Sequence, residues 1–332
     1  MCSSDLWADE GSLDFIGHLA KNGAGLPILM LCAARPALYE RRPGWGDEIG
    51  SHQRIELGAL GEGGRRVLAD ALLARVDDPP AVLRELLTER ADGNPFYMEE
   101  LTLMLIDSGV ITAGPDRWQV APEKLLGVRV PTTLTGVLQA RIDVLSGPER
   151  AALQQASVIG PLFWDEALAE LNPQSLQSLP ALGQRHLVQK HETSAFERTR
   201  EFAFGHHLLH QVTYDGVLKR HKREQHRITA LWLERRCAGR SGEYLSLLAE
   251  HFERAGAAER AAHYWTAGAK EAMSRFADDA ALAHSERALA LEDGADPNRR
   301  FALMNVRESV FARQPTRAPQ QEAIAEDRKS VV

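Results

Sequence analysis

The amino-acid sequence predicts a mostly α-helical protein that begins with the end of a parallel α/β layer. Two observations lead to this fold class. The continuous apolar run Leu26–Ala34 has the length of one buried strand and follows a helical pattern, which is the rhythm of a parallel sheet. From Gly61 onward, apolar residues recur with helical spacing over most of the chain. We therefore expect a parallel sheet only in residues 7–58.

Composition limits the classes of protein that the chain can belong to. It has 332 residues, 44% of them apolar, a formal net charge of -7 and three cysteines. At roughly 100–200 residues per domain, this length predicts two or three domains. No apolar run reaches the roughly 18 residues of a membrane-spanning helix, so we expect no membrane partner. The scattered cysteines predict neither a disulfide framework nor a metal site, and they favour a cytoplasmic location.

The first predicted elements are a helix and two strands. Asp9–Ala20 has one apolar face and an acidic start, where the helix dipole favours negative charge. The strand Leu26–Ala34 follows, and Arg35 then places a charge at its carboxyl end. Gln53–Leu57 alternates polar and apolar residues like a short strand.

Helices and small strands are predicted for the middle of the chain. Asn94 and Pro95 suit the cap and first position of a helix, and Trp118–Val120 suits one strand of a small hairpin. Further helices are predicted at Thr132–Leu145, Pro148–Ile159, Asp165–Leu171 and Leu176–Leu187. Phe202–Phe204 is a short apolar strand ahead of a long helical run that ends near Leu233. Helices combined with a small strand pair are typical of a winged helix.

The last part of the chain is rich in alanine. Glu259 and Asp278 open two predicted helices that start 19 positions apart, each followed by small residues at packing positions. This pattern is typical of antiparallel helix repeats of the tetratricopeptide kind. A further helix is predicted at Arg299–Arg313, and residues 314–332 are expected to form a frayed tail.

Both ends of the chain read as translated sequencing adapter. Residues 1–6 translate back to the end of a common short-read adapter, and the closing Asp327–Val332 does the same in frame. We therefore hypothesise that natural sequence covers only about Trp7 to Glu326. The expectation that follows is a fragment of a longer protein.

A set of phrases in a fixed order carries a family resemblance. The sequence has no GxSxG, HExxH, GxGxxG or GxxxxGK[ST] motif. It does contain WADE at Trp7–Glu10, then the run that ends at Arg35, GNPFYMEEL at Gly93–Leu101 and FGHHL at Phe204–Leu208. In this order the phrases resemble the STAND class of AAA+-related signalling ATPases. The closest likeness is to the ATPase regions of bacterial class III adenylate cyclases and large LuxR-type regulators, where the phrases read HWAD, GNPLFLEEL and F-x-H-x-L.

The resemblance implies an organisation and a mechanism. The implied parts are the end of an NTPase core at 7–58, a helical lid at 59–130, a winged-helix region at 131–240 and tetratricopeptide-like repeats at 241–313. In such a switch, ADP bound with Mg²⁺ keeps the module closed. An inducer or protein partner on the repeats, together with exchange to ATP, opens it for self-association and signals to an attached output domain.

The same resemblance implies two catalytic residues. Asp9 matches the aspartate of the WAD phrase, close to the carboxylates that hold Mg²⁺, because hard oxygen ligands suit that ion. Arg35 matches the sensor arginine that contacts the γ-phosphate. Leu6 stands where the family has histidine, and the main Walker B acid is expected ahead of Trp7.

Nucleotide contacts are implied at two further places. Gly93, Asn94 and Pro95 match the lid phrase whose proline packs on adenine, although an ordinary helix start would explain them as well. His206 matches the winged-helix histidine that contacts the β-phosphate of ADP; the alternative is a satisfied core histidine. The adenine nucleotide, ATP or ADP, is thus the implied ligand of the complete protein.

The output of the module is left open between three interpretations. An adenylate cyclase is favoured, and a LuxR-type transcription regulator or a nucleotide-independent repeat scaffold are the alternatives. Because the chain has no phosphate-binding loop, we expect it to have no ATPase activity of its own. The basic cluster Lys219–Arg223 with Arg227 is interpreted as a solvated helix face, so we do not expect this segment to bind nucleic acid.

Overall fold

The computed structural model describes residues 10–23, 25–50, 52–238, 241–291 and 296–313. Within these ranges the protein is mostly helical, as predicted. The chain divides into two compact units, one of residues 57–236 and one of the residues before 57 and after 236. The predicted site residue Asp9 and the adapter-like ends 1–6 and 327–332 lie outside the described residues.

The parallel α/β part of the predicted fold class is wrong for the described residues. Helix α1 spans Glu10–Asn22 and helix α2 spans Ala37–Arg41, but the segment between them, Leu26–Ala34, is not a strand. Leu29 and Leu31 are each 91% exposed. A parallel strand is stable only beside a neighbour that shares its backbone hydrogen bonds, and none lies within the described part of residues 10–56.

The second strand predicted ahead of residue 59 is also absent. Gln53–Leu57 runs without regular structure, and Ile55 and Leu57 are exposed. Alternation of polar and apolar residues indicates a strand only where one face of the strand packs against another part of the protein.

The first half of the unit 57–236 packs around helix α5. Its elements are α3 (Glu62–Leu72), α4 (Ala81–Arg90), α5 (Pro95–Asp107), β1 (Ile111–Ala113), β2 (Trp118–Val120) and α6 (Pro122–Gly127). The predicted hairpin is confirmed: β1 and β2 pair antiparallel, with Ile111 opposite Val120. Helix α5 contributes the fully buried Met98, Leu101 and Leu105 to the core. Burying a side chain of this size adds about 1.5–3 kcal/mol to the free energy of unfolding.

The second half of this unit joins helices to a small antiparallel sheet. Its elements are α7 (Leu134–Asp143), α8 (Gly147–Ile159), β3 (Leu162–Trp164), α9 (Asp165–Leu171), α10 (Leu179–Gln184), β4 (Val188–Lys190), β5 (Glu201–Phe204), α11 (His207–Asp215) and α12 (Lys219–Arg236). The strand order is β3–β5–β4, so β5 is central. The predicted strand Phe202–Phe204 is confirmed. The helix predicted at Leu176–Leu187 is shorter, because a 3₁₀ turn occupies Pro173–Ser178.

The central strand β5 is held by its first residue. Glu201 is buried, and its carboxylate accepts hydrogen bonds from Trp164 Nε1 at 3.0 Å and from the Ala195 backbone N–H at 3.0 Å. His191 Nδ1 lies 3.1 Å from the same carboxylate. Phe163 stacks on Phe202 of β5, with 5.6 Å between ring centroids. These contacts fix β5 and therefore the chain that leaves it.

Four helices follow in the other unit. They are α13 (Leu245–Arg254), α14 (Ala258–Ser274), α15 (Asp278–Ala290) and α16 (Pro297–Arg313). The predicted helix starts at Glu259 and Asp278 are confirmed to within one residue. Consecutive helices from α13 to α15 pack closely across three-residue connections, as in helical hairpins. Ala262, Ala269 and Ala281 are buried where these helices meet.

His284, a histidine of helix α15, packs against helix α14. His284 packs on Gly268, where an added Cβ would lie 3.2 Å from His284 Nδ1, and on the ring of Trp265. Ser246 Oγ lies 3.2 Å from its Nε2. Burial lowers the pKa of His284, the charge of Arg287 acts in the same direction, and Gly268 and Glu250 oppose it. The folded protein therefore favours the neutral ring.

We expect His284 to make stability depend on pH. Because its folded pKa is depressed, the unfolded chain takes up the proton first as the pH falls below the ordinary value of 6.5. The stability that the neutral ring contributes is present above that pH and is lost as the pH falls through the lowered folded pKa. Thermal unfolding of a His284→Gln variant between pH 5 and 8 should show a weaker acid loss than wild type.

The exposed His263 on α14 provides the control. A His263→Gln variant makes the same substitution at an exposed position and should leave the pH dependence assigned to His284 in place. Equal acid losses in wild type and the His284→Gln variant would contradict the assignment to His284.

Candidate functional site

The predicted lid residues form the start of helix α5. Asn94 is its N-cap: the side-chain Oδ1 accepts a hydrogen bond from the Tyr97 backbone N–H at 3.2 Å. Pro95 takes the first helical position, where its missing N–H costs nothing. The ordinary helix-start interpretation is therefore correct for these two residues. Both remain exposed, so it leaves them accessible to a ligand.

Gly93 is required by a close backbone approach. Its φ is +76°, in the left-handed region that favours glycine. A Cβ on Gly93 would lie 2.6 Å from the Leu60 carbonyl oxygen and 2.9 Å from the Leu60 nitrogen. The Leu60 backbone N–H donates to the Gly93 carbonyl oxygen at 2.8 Å. The glycine thus admits a neighbouring backbone segment at the entry to α5.

His206 lies at the exit from strand β5 and is exposed, so the core-histidine alternative is wrong. It is the N-cap of α11, and its Nδ1 accepts a hydrogen bond from the Leu208 backbone N–H at 3.1 Å. A neutral imidazole has one N–H, so an accepting Nδ1 places the hydrogen on Nε2. His206 can therefore donate to an anion through Nε2.

An aromatic stack brings the two predicted contact regions together. The ring of Phe96, one residue after Pro95, stacks on the imidazole of His206 with 3.8 Å between centroids and 27° between planes. Phe96 is half-buried. The start of α5 and the start of α11 therefore meet at one place on the surface of the unit. We name the residues Asn94, Pro95, Phe96 and His206 the α5–α11 junction.

Helix α5 is further anchored by a buried ion network. The Arg141 side chain on α7 is completely buried, with its Nη1 2.6 Å from Glu100 and its Nε 2.9 Å from Asp107. Arg185, next to α10, also reaches Asp107, at 2.7 Å. Arg141 Nη2 donates to the Arg185 carbonyl oxygen as well. Arginine suits this role because its planar fork bonds two carboxylates at once.

Sequence reasoning missed this network. The available signal was the pair of acidic residues Glu100 and Asp107 on a helix that is otherwise largely apolar on its buried face. Acidic residues are almost never fully buried without a partner, so their position predicts a buried cation. The partner itself comes from a different helix and could not be read from local spacing.

The predicted catalytic residues Asp9 and Arg35 both precede the unit 57–236 in the chain. Asp9 lies outside the described residues, so its assignment as a magnesium ligand stays a prediction. Arg35 is exposed, and its carbonyl accepts from the Leu38 N–H at 3.0 Å in the turn that starts α2. The expectation that Arg35 follows a parallel strand is wrong, because Leu26–Ala34 is not a strand and has no partner strand among the described residues. Arg35 belongs to the other compact unit.

The basic cluster lies at the start of helix α12. Lys219, Arg220 and Arg223 are exposed. Lys222 lies 4.0 Å from the centre of the Tyr214 ring, and Arg227 pairs with Glu224 at 2.6 Å. Lys222 and Arg227 thus make intramolecular contacts. That this segment does not bind nucleic acid stays a prediction.

Two further observations on the described residues concern membrane-spanning helices and metal-binding groups. No helix among them combines the length and apolar character needed to cross a bilayer. The same residues contain no group of three histidine, cysteine, aspartate or glutamate side chains arranged to hold a metal ion.

Comparison with known proteins finds a likeness that covers most of the chain. No protein-family model matches the chain. Over 295 residues, 86% of the chain, it is 28% identical to an uncharacterized protein of Rhizobium meliloti (strain 1021). The chain spans 27% of the length of that relative.

Proposed function

We propose that the chain is part of a STAND-type signalling ATPase module that binds an adenine nucleotide, ATP or ADP with Mg²⁺, at the α5–α11 junction. In this proposal residues 59–130 act as the lid and residues 131–240 as the winged-helix region. The observation that carries it is the contact of Phe96 with His206 at 3.8 Å. This contact joins the phrase GNPFYMEEL to the phrase FGHHL, the two parts that would close on one ligand.

The residues of the junction have chemistry that suits this ligand. Pro95 presents an exposed, rigid apolar ring suited to the face of an adenine base. His206 offers an Nε2 donor, and the start of α11 beside it adds the positive end of a helix dipole. The buried Gly93 sets the path of the chain into α5. The number of phosphates on the bound nucleotide would distinguish the resting state, with ADP, from the active state, with ATP.

The remaining parts of the module are assigned by the same resemblance. Residues 241–313 would act as tetratricopeptide-like repeats that bind an inducer or a protein partner, with self-association in the active state. We propose an adenylate cyclase as the attached output domain and keep a LuxR-type transcription regulator as the alternative. The chain itself is expected to hydrolyse no ATP, since it has no GxxxxGK[ST] loop.

A nucleotide-independent scaffold is the second candidate function. The observation that favours it is the segment Leu26–Ala34, which is exposed and has no partner strand in the described part of the chain, where an NTPase core needs a strand. Arg35 then has no strand end from which to contact a γ-phosphate. In this case the helices α13–α16 would bind protein partners without control by nucleotide.

Titration with ADP and Mg²⁺ tests the proposal. We expect wild-type protein to bind ADP in isothermal titration calorimetry and a His206→Asn variant to bind roughly 10- to 100-fold more weakly, because a hydrogen bond to a charged group contributes about 1.5–3 kcal/mol. Asparagine keeps the N-cap of α11, so the helix start is preserved. The neighbouring exposed His207 provides the control, and a His207→Asn variant should bind like wild type. Wild-type protein that binds no ADP would contradict the proposal and favour the scaffold.

A further inference from the structure

We propose that Phe96 is a positioning residue that fixes the imidazole of His206 with its Nε2–H directed to the ligand. This inference rests on the proposed function and goes beyond it, since the family resemblance assigns Phe96 no role. It is carried by the geometry of the α5–α11 junction. The phrase of the family has leucine at this position, GNPLFLEEL, where this chain has GNPFYMEEL.

The contacts of the His206 imidazole include a hydrogen bond and an aromatic stack. Its Nδ1 accepts from the Leu208 N–H at 3.1 Å, and its face lies on the Phe96 ring, with the planes 27° apart. The hydrogen bond selects the nitrogen that carries the proton, and the stack restrains rotation of the ring plane. An exposed histidine with the hydrogen bond alone could still turn about its side-chain bonds. The stack therefore adds a restraint on the direction of Nε2 to the one that the hydrogen bond supplies.

The Phe96 ring is itself held by the helix below it. Tyr97, the next residue, is buried and its hydroxyl donates to the Pro131 carbonyl oxygen. Burial raises the pKa of the Tyr97 phenol, so the group stays a donor. Met98 is fully buried in the core, and Glu100 is bound to Arg141 at 2.6 Å. The first turn of α5 therefore presents Phe96 from a rigid base.

The geometry of the stack explains why an aromatic side chain is needed at position 96. A leucine fills a similar space but has no flat face to match the imidazole. Aromatic pairs contribute about 0.5–1.5 kcal/mol beyond the area they bury. Loss of the stack should thus weaken binding of a phosphate at Nε2 by about three- to tenfold, because every 1.4 kcal/mol corresponds to a factor of ten.

The test compares Phe96→Leu with Phe96→Tyr in the full chain. The three-bond couplings between the Hα and Hβ atoms of His206 report whether its ring keeps one rotamer, and the signals of His206 are those missing from the His206→Asn variant. We expect one rotamer in wild type and in Phe96→Tyr, and couplings averaged over several rotamers in Phe96→Leu, because the hydrogen bond from Leu208 remains but the stack is lost. ADP titration of the same proteins should show the three- to tenfold loss in Phe96→Leu only. Rescue by tyrosine separates positioning from simple loss of volume.

The outcomes distinguish this inference from the proposed function. A single rotamer of His206 in Phe96→Leu, with unchanged unfolding temperature, would overturn the role of Phe96 whether or not ADP binds. If wild-type protein binds no ADP but the His206 ring of Phe96→Leu averages over several rotamers, the positioning role stands and the nucleotide proposal fails.

Discussion

Replacing Arg141 with alanine should lower the free energy of unfolding by about 3–5 kcal/mol, the loss typical of a broken buried ion pair. The side chain is completely buried, and it neutralises both Glu100 and Asp107. Without the guanidinium, Glu100 is left as a buried carboxylate that has lost its ion-pair partner, while Asp107 keeps Arg185. Urea titration followed by circular dichroism measures the change.

Two further variants make this prediction specific. Gln139→Ala removes an exposed polar side chain from the same helix, α7, and should change stability by no more than about 0.5 kcal/mol. An Arg141→Met variant combined with Glu100→Met replaces the pair by apolar side chains and should regain part of the loss. A loss below about 1 kcal/mol for Arg141→Ala would mean that the network contributes no more than a surface pair.

Replacing Gly93 with alanine should lower the free energy of unfolding by about 2–5 kcal/mol. Two costs add here. The left-handed backbone at φ +76° costs an L-residue about 1–2 kcal/mol. The added Cβ would also lie 2.6 Å from the Leu60 carbonyl oxygen, and relief of such overpacking costs about 1–3 kcal/mol. The same urea titration measures the loss.

Gly63 offers a matched control with the opposite sign. It is exposed within helix α3, and an added Cβ meets nothing within 4 Å. Gly63→Ala should therefore stabilise the protein by about 0.5–1 kcal/mol through helix propensity. If Gly93→Ala stabilised the protein as well, the close approach of Leu60 and Gly93 would be incorrect.

Helices with local start signals could be predicted from the sequence. Asn94 and Pro95 begin α5 as expected, because cap and proline act on the backbone within one turn. The helix predicted at Asp165–Leu171 has the bounds of α9. The predicted strand Phe202–Phe204 differs from β5 only by the inclusion of Glu201. For the two helices, the interactions that determine the structure lie within a few residues of the pattern. The strand β5 is short and is enclosed by aromatic side chains.

Elements that depend on distant partners could not be predicted. Leu26–Ala34 has the composition of a buried strand, but burial needs a neighbouring surface that the run itself does not encode. The candidate site shows the same limit. Asn94, Pro95 and His206 were identified singly, whereas the Phe96–His206 stack and the pairing of Arg141 with Glu100 join residues far apart in the chain.

The buried ion network also constrains how the sequence can diverge. A single substitution at Arg141 leaves carboxylates of Glu100 and Asp107 in the interior, whereas a change of either acid alone leaves part of a buried guanidinium without its partner. Each single substitution that breaks the network therefore gives a less stable protein. Homologous chains should therefore keep these positions together or exchange them together, so that covariation among the three positions would record the contact between α5 and α7.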